Sequence, residues 1–316
     1  MCRRGVDVAM NEPVASTIDL QGLSLRLWTW STDNTVDNAA DNAPVVLLLH
    51  GAMDTGRSWD AVATALLTRA SCQVVAVDLR GHGQSDWGGP GASHHLLDFA
   101  KDTAAVIAWL EARGRPVHTL VGHSMGANVA FLLAGAWPSH LRQLVLVDGV
   151  GPPPEDADEQ PGRLGDLFDA VVADKRPFKP VASLQEAVER LLAWNPGLSQ
   201  RGATRMAEPA LVPRNDGRWD FPFDPRLRGP TPMRHPEAQW LAACDRLIKA
   251  GVGTAIVRAT DGFLPAGVGD DALGEPFAER ARRLQARITV VQGPHHLHVE
   301  AEDAVADAIA STLPRR

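Results

Sequence analysis

A chain of 316 residues with 45% hydrophobic residues is long enough for one large α/β domain or two small ones, each with a buried core. The formal net charge of −7, without any basic stripe, argues against nucleic acid or an anionic membrane as a partner, and no apolar run approaches the ~18 residues of a membrane span. Three distant cysteines, Cys2, Cys72 and Cys244, fit neither a disulfide framework nor a metal motif, which predicts a cytoplasmic protein.

The N-terminal part of the chain predicts an extension followed by strands. Residues 1–16 are expected to form a ragged extension, and a hairpin is expected from Thr17–Leu20 and Leu23–Trp30. The apolar run Val45–Leu49 is typical of a strand buried on both faces of a parallel sheet. It ends at His50-Gly51-Ala52, where we expect the Ala52 amide to be an oxyanion donor and the His50 ring to brace the loop.

Buried strands then alternate with helices. The predicted strands are Val74–Val77, Val117–Val121 and Leu144–Val147, and the predicted helices are Arg57–Thr68, Leu96–Ala112 and Met125–Ala136. This alternation predicts a right-handed parallel sheet, in which ligands bind at the carboxyl ends of the strands. His50, Asp78, Ser124 and Asp148 all fall at such ends, and the charged loop that begins at Asp78 is interpreted as structural.

The motif Gly122-His123-Ser124-Met125-Gly126 separates a predicted strand from a predicted helix. Strand, sharp turn and helix is the context of a nucleophile elbow, in which a strained turn projects one hydroxyl from the top of a sheet. The two glycines leave room where side chains would collide. The Met125 amide, at the helix N-terminus, is positioned to donate to an oxyanion.

Residues 151–236 break the alternation. This stretch is rich in proline, with helix-like segments at Leu184–Trp194 and Ser199–Glu208, and we expect a lid inserted after the sixth strand. Its apolar side chains either line an acyl or aromatic pocket or pack the lid onto the core. The predicted substrate contacts are His50, His123, Phe168 and Trp194.

The α/β core, residues 17–150, is expected to resume at residues 237–316. The expected elements are helices at Glu237–Ala250, Pro276–Ala286 and Glu302–Leu313 and strands at Thr254–Val257 and Ile288–Val291. These last two strands lead to Asp261 and His295.

A serine hydroxyl needs a neighbouring base, and the base needs an acid to orient it. Ser124, Asp261 and His295 each follow a predicted strand in the order Ser, Asp, His, so we assign them as nucleophile, acid and base. Asp148 is the alternative acid. His295 is preferred as base because it comes first after its strand, whereas His296 and His298 are expected to line or buttress the site. No metal is expected, since the histidines lack zinc-ligand spacing.

Together these motifs resemble the α/β-hydrolase superfamily from about Thr17 to Thr312. The resemblance implies that the amides of Ala52 and Met125 form the oxyanion hole. The segments 184–190, 224–228 and 295–298 are similar to the serine-hydrolase-like branch, although Pro294 stands where relatives usually have glycine before the base. A serine nucleophile does not imply a dehalogenase or an epoxide hydrolase.

The sequence thus predicts a cofactor-independent serine hydrolase that cleaves a small or medium-sized carboxylic ester through an acyl-enzyme. A thioesterase, a lactonase or a carbon–carbon bond hydrolase would use the same triad. A ligand-binding protein that kept the scaffold without turnover is an alternative of another class. The expected partner is a small-molecule ester, with no nucleic acid and no membrane. Monomer and dimer both stay open.

Overall fold

The computed structural model describes residues 12–20, 22–31, 43–173, 177–229, 231, 234–268 and 272–314. Ten strands are assigned within these residues: β1 Val14–Asp19, β2 Ser24–Trp30, β3 Val45–Leu49, β4 Gln73–Val77, β5 Val117–His123, β6 Gln143–Val147, β7 Val212–Pro213, β8 Trp219–Asp220, β9 Gly253–Asp261 and β10 Arg287–Pro294. The α-helices there are α1 Asp60–Arg69, α2 Leu96–Glu111, α3 Met125–Ala136, α4 Gln160–Val172, α5 Leu184–Trp194, α6 Gln200–Ala207, α7 Glu237–Lys249, α8 Phe277–Arg283, α9 Leu297–Glu300 and α10 Glu302–Ala310.

Eight strands form one sheet in the order β1-β2-β4-β3-β5-β6-β9-β10. The first two strands pair antiparallel as the predicted hairpin, β2 pairs antiparallel with β4, and all other pairs are parallel. The predicted mostly parallel sheet is therefore confirmed. Strand β1 already begins at Val14, inside the predicted extension, and residues 1–11 of that extension lie outside the described residues.

Helices cover both faces of the sheet. One buried cluster joins the sheet to α2, α3, α7 and α8, with Phe99, Phe131 and Trp240 among its large side chains. The other joins the opposite face to α1 and α10 through Leu66 and Ile309. Since β3, β4, β5 and β6 are buried on both faces, their apolar runs carry no alternation.

The segment between β6 and α7, here called the insertion (residues 151–236), has a core of its own. Helices α5 and α6 pack with Phe221 and Phe223, and Val299 from α9 completes the cluster. The segment also contains helix α4, which has no buried residue, and the short antiparallel pair of β7 and β8. Neither was predicted from the sequence. No helix among the residues with described structure is long and apolar enough to cross a membrane.

Candidate active site

Ser124 stands on a strained turn between β5 and α3. Its backbone has φ 53° and ψ −115°, and its amide donates to the carbonyl of Val147 at 3.0 Å. A Cβ on Gly122 would lie 2.2 Å from the carbonyl oxygen of Gly126, and a Cβ on Gly126 would lie 2.4 Å from that of Leu49. Both positions therefore exclude larger residues, which is the steric requirement of a nucleophile elbow.

His295 follows β10 and pairs with a carboxylate. Its Nδ1 lies 2.5 Å from Oδ2 of Asp148, and both side chains are almost fully buried. Because a carboxylate only accepts, Nδ1 carries the proton and Nε2 is left as the basic nitrogen. Phe263, itself 76% exposed, packs its ring 3.9 Å from the imidazole and covers one face of it.

Asp148 is held by backbone amides of the neighbouring strand and the turn after it. Oδ1 accepts from the amide of Ala259 at 3.2 Å, and Oδ2 accepts from the amide of Phe263 at 2.9 Å. A Cβ on Gly262 would lie 2.2 Å from Oδ2 of Asp148, so this glycine makes room for the carboxylate. Residue 148 is thus fixed in one orientation toward His295.

The structure corrects the assignment of Asp261 as the acid. Asp261 is the last residue of β9, its side chain is exposed, and its Oδ2 accepts from the hydroxyl of Thr260 at 2.9 Å. The carboxylate that contacts His295 belongs to Asp148, the alternative acid, at the end of the adjacent strand β6.

The expected oxyanion donors lie at two chain turns beside Ser124. Ala52 is exposed in the loop after β3, and Met125 is the first residue of α3, where an α-helix leaves its amides without intrahelical acceptors. A Cβ on Gly51 would lie 3.4 Å from Cβ of Ser124, which places this loop against the nucleophile. The arrangement suits two amides that converge on a developing oxyanion.

Two buried histidines hold the loop that carries Ala52. His50 contacts the carbonyl of Gly51 through Nδ1 at 2.7 Å and accepts from the amide of Leu79 through Nε2 at 3.0 Å. His82 contacts the carbonyl of Arg80 through Nδ1, and its Nε2 accepts from the amide of Met53 at 3.2 Å. His50 is fully buried with both nitrogens occupied, which corrects its assignment as a substrate contact.

The interpretation of the loop after β4 as structural agrees with these contacts. Oδ1 of Asp78 accepts from the amide of Gly56 at 2.6 Å, and Oδ2 accepts from the amide of Gln84 at 2.9 Å. Burial raises the pKa of Asp78 although both amides favour its charged form. Its contacts tie the loop after β3 to the loop after β4 and occupy both carboxylate oxygens.

His123, the residue before Ser124, is buried against His295. It is 1% exposed, and its Nε2 donates to the backbone carbonyl of His295 at 3.0 Å. Burial, followed by the neighbouring His298 and His295, holds its pKa well below the ordinary value, so the ring is neutral. The structure therefore corrects its assignment as a substrate contact and makes it a support for the base.

The other two predicted substrate contacts belong to the insertion. Phe168 is 61% exposed on α4, and Trp194 packs against Phe178 and Phe221 at ring distances of 5.8 Å and 5.3 Å. Trp194 is therefore part of an aromatic cluster of the insertion. The contact of either side chain with a substrate stays a prediction.

One group of three side chains in the described part of the chain has the composition of a metal site. Asp54, His123 and His298 are buried, and one ligand atom from each lies within 4.8 Å of the others. In the structure Nε2 of His298 instead contacts Oδ2 of Asp54 at 3.1 Å. Asp54 was not predicted as a site residue, although it follows the His-Gly motif by three residues.

Backbone strain concentrates at this site. Four non-glycine residues among those described have positive φ, and three of them are Met53, Ser124 and Asp148, with φ of 52°, 53° and 45°. Such residues cost free energy and persist where the surrounding structure fixes them. Here they are the residue after Ala52, the serine of the elbow and the carboxylate partner of His295.

Comparison with known proteins agrees with this geometry. A family model described as the alpha/beta hydrolase fold matches residues 44–205, just over half of the chain. A serine hydrolase-like protein of Danio rerio is 27% identical over 273 residues, which cover 85% of this chain and 81% of that protein.

Solved structures extend the likeness over the whole chain. A hypothetical protein of Pseudomonas aeruginosa is 32% identical with a TM-score of 0.78, over 95% of this chain and 99% of that one. A thioesterase domain from the curacin biosynthetic pathway is 25% identical with a TM-score of 0.76, over 96% of this chain and 100% of that domain. On its sequence, its sheet and its elbow, the chain belongs to the alpha/beta hydrolase family.

Proposed function

We propose that this protein is a serine hydrolase that cleaves carboxylic esters of small or medium-sized substrates through an acyl-enzyme. The observation that carries the proposal is the buried contact of His295 Nδ1 with Asp148 at 2.5 Å, at the same end of the sheet as the strained Ser124. A buried acid, an oriented imidazole and a serine on an elbow are the parts that activate a hydroxyl.

The reaction begins with attack of Ser124 Oγ on the ester carbonyl carbon. Nε2 of His295 takes the serine proton as the bond forms, and Asp148 stabilises the resulting imidazolium. The amides of Ala52 and Met125 donate to the oxyanion of the tetrahedral intermediate. The imidazolium returns its proton to the leaving alcohol, and water, activated by the same nitrogen, then releases the acid and regenerates Ser124.

Turnover of a ladder of p-nitrophenyl esters, from acetate to palmitate, tests the proposal. We expect hydrolysis by the wild-type protein, an optimum of chain length, and a loss of at least about 10³-fold in Ser124→Ala, because removal of the nucleophile leaves only binding and the oxyanion hole. A fluorophosphonate should label Ser124 in the wild type and not in the variant. Labelling without turnover of any ester would contradict the ester assignment and keep the serine mechanism.

A thioesterase is the second candidate. The similarity to the curacin thioesterase domain over the whole chain favours it, and a thioester carbonyl suits the same nucleophile and oxyanion donors. Acyl thioesters matched to the p-nitrophenyl esters in chain length discriminate the two. A higher kcat/KM on the thioesters would assign the enzyme to them.

A ligand-binding protein on the same scaffold is the alternative without chemistry. It would show neither turnover nor labelling, while its ligand would raise the melting temperature. The strained backbone at Ser124 and the fixed orientation of Asp148 favour the enzyme, since a binder has no need of either.

A further inference from the structure

We propose that Asp54 and His298 form a positioning pair, which fixes the oxyanion loop relative to the catalytic base. The inference rests on the proposed function, because it assigns the Ala52 amide to the oxyanion hole and His295 to the base. It adds two residues that do not touch the substrate. Nε2 of His298 lies 3.1 Å from Oδ2 of Asp54, and the two side chains are 0% and 3% exposed.

Asp54 organises the second half of the oxyanion loop (residues 50–58). Its Oδ1 accepts from the amide of Thr55 at 2.8 Å, and its Oδ2 accepts from the hydroxyl of Ser58 at 2.9 Å. Burial raises the pKa of Asp54, but the hydrogen bond and charge interaction with His298, the interaction with His50 and the Thr55 amide together outweigh it, and the pKa lies below the ordinary value. The carboxylate is thus a buried anion that needs the donor from His298.

His298 belongs to the same short stretch of chain as the base. It lies in α9, three residues after His295, and its ring packs 4.2 Å from His123 and 4.9 Å from Trp59. His123 in turn donates to the carbonyl of His295. The segment that carries the base therefore contacts His123 directly and is joined to Asp54 through His298.

These contacts join the oxyanion loop to the rest of the site. Met53, directly after Ala52, is held by His82 at 3.2 Å, so His82 and Asp54 fix the loop on the C-terminal side of the oxyanion donor, while His50 holds its N-terminal side. Among the hydrogen bonds of the described residues, only that between His298 and Asp54 joins this loop directly to the segment of the base, residues 295–300. Loss of the bond between His298 and Asp54 is expected to displace the Ala52 amide, while Ser124, His295 and Asp148 remain in place. The expected effect falls on the transition state and spares substrate binding.

Two amide substitutions at one position provide the sharpest test. In His298→Gln the side-chain nitrogen can reach the position of Nε2 and donate to Asp54, whereas the shorter amide of His298→Asn cannot. Both variants remove the imidazole and keep a polar group of the same chemistry. His140→Asn is the control, because His140 also pairs with a carboxylate, Glu111 at 2.8 Å, and lies beyond the C-terminal end of α3, whereas the elbow lies at its N-terminal end.

Rates should separate the two variants. We expect His298→Asn to lower kcat on the preferred ester and the rate of fluorophosphonate labelling by about tenfold or more, with KM changed less than about twofold. His298→Gln should stay within about threefold of the wild type, as should His140→Asn. Equal rates for His298→Asn and wild type, or equal losses in His298→Asn and His298→Gln, would overturn the pair. Assays with EDTA exclude a metal at Asp54, His123 and His298 as the cause.

Hydrogen exchange tests the pair without any substrate. Amides of residues 50–58 should exchange faster in His298→Asn than in His298→Gln, while the core strand β5 is unchanged in both. If the wild type neither turns over esters nor reacts with fluorophosphonate, the proposed function fails. Faster exchange of residues 50–58 in His298→Asn than in His298→Gln would then still support the contact between Asp54 and His298 as the one that holds the loop. Unchanged exchange in His298→Asn would then reject it.

Discussion

At the scale of single residues, the acid of the site is decided by which carboxylate is buried and which is in solvent. Asp148 accepts two backbone amides as well as the bond from His295, whereas Asp261 lies on the exposed end of β9. The carboxylate geometry thus favours the earlier strand, although the order of residues along the chain suits either.

Replacement of the acid should abolish most of the activity. Asp148→Asn presents an amide that can donate to Nδ1 of His295 and so favours the wrong tautomer, and we expect kcat to fall by about 10⁴-fold. Asp261→Asn, the matched control, should remain within about twofold of the wild type. Initial rates on one activated ester measure both. A large loss of kcat in Asp261→Asn, together with an active Asp148→Asn, would show that Asp261, on β9, is the acid.

A substitution at Gly262 tests whether the position of the Asp148 carboxylate matters. A methyl group there would lie 2.2 Å from Oδ2 of Asp148, so Gly262→Ala must displace the carboxylate or the turn that carries Phe263. We expect kcat to fall at least about tenfold, because the imidazole loses its fixed partner. Gly165→Ala on α4, where no atom lies within 4 Å of the added Cβ, should keep full activity. Full activity in both variants would show that the carboxylate need not stay where it is.

At the scale of elements, the insertion is fastened to the segment that carries His295, the proposed base. Glu300 at the end of α9 accepts from the amide of Ser199 at 2.6 Å and from its hydroxyl at 2.8 Å. The hydroxyl of Ser199 also accepts from the amide of Gly202 as the N-cap of α6. The insertion and the base loop therefore share one hydrogen-bonded junction.

The two N-cap serines of the insertion separate capping from anchoring. Ser183→Ala removes only the cap of α5 and should lower the free energy of unfolding by about 1 kcal/mol. Ser199→Ala removes the cap of α6 and also a charge-assisted bond to Glu300, so we expect a loss of about 2–3 kcal/mol. Urea unfolding of both variants gives the two values. Equal losses would mean that the bond to Glu300 contributes nothing to stability.

Sequence patterns predicted the elements whose own residues are buried. The bounds of β3, α3 and α5 agree with those expected, since an apolar run or an apolar helical face defines each of them. Helix α4 was not predicted, because none of its residues is buried and its sequence contains Pro161 and two glycines. The pairing of His295 with Asp148 and of His298 with Asp54 depends on contacts across 147 and 244 residues of chain, which local patterns do not encode.

At the scale of the whole molecule, buried neutral histidines make folding dependent on pH. Burial, with His50 nearby, lowers the pKa of His82 to about 3, and burial with His298 and His295 lowers the pKa of His296 to about 3. His123 is shifted in the same direction. In the unfolded chain each would have a pKa near ~6.5.

Between these two pKa values the unfolded chain binds protons that the native protein does not, so the free energy of unfolding must fall as pH falls below about 6.5. Each of these histidines adds up to about 1.4 kcal/mol per pH unit to the slope of the free energy of unfolding against pH. Three of them together can cancel a typical free energy of unfolding of about 5–15 kcal/mol within a few pH units. Urea unfolding at pH 7.5, 6.5, 5.5 and 5.0 measures the slope. His82→Gln keeps an acceptor for the amide of Met53. It should reduce the slope of the free energy of unfolding by the contribution of one histidine, up to about 1.4 kcal/mol per pH unit. A slope equal to that of the wild type would show that His82 is not a neutral, proton-excluding group in the native protein.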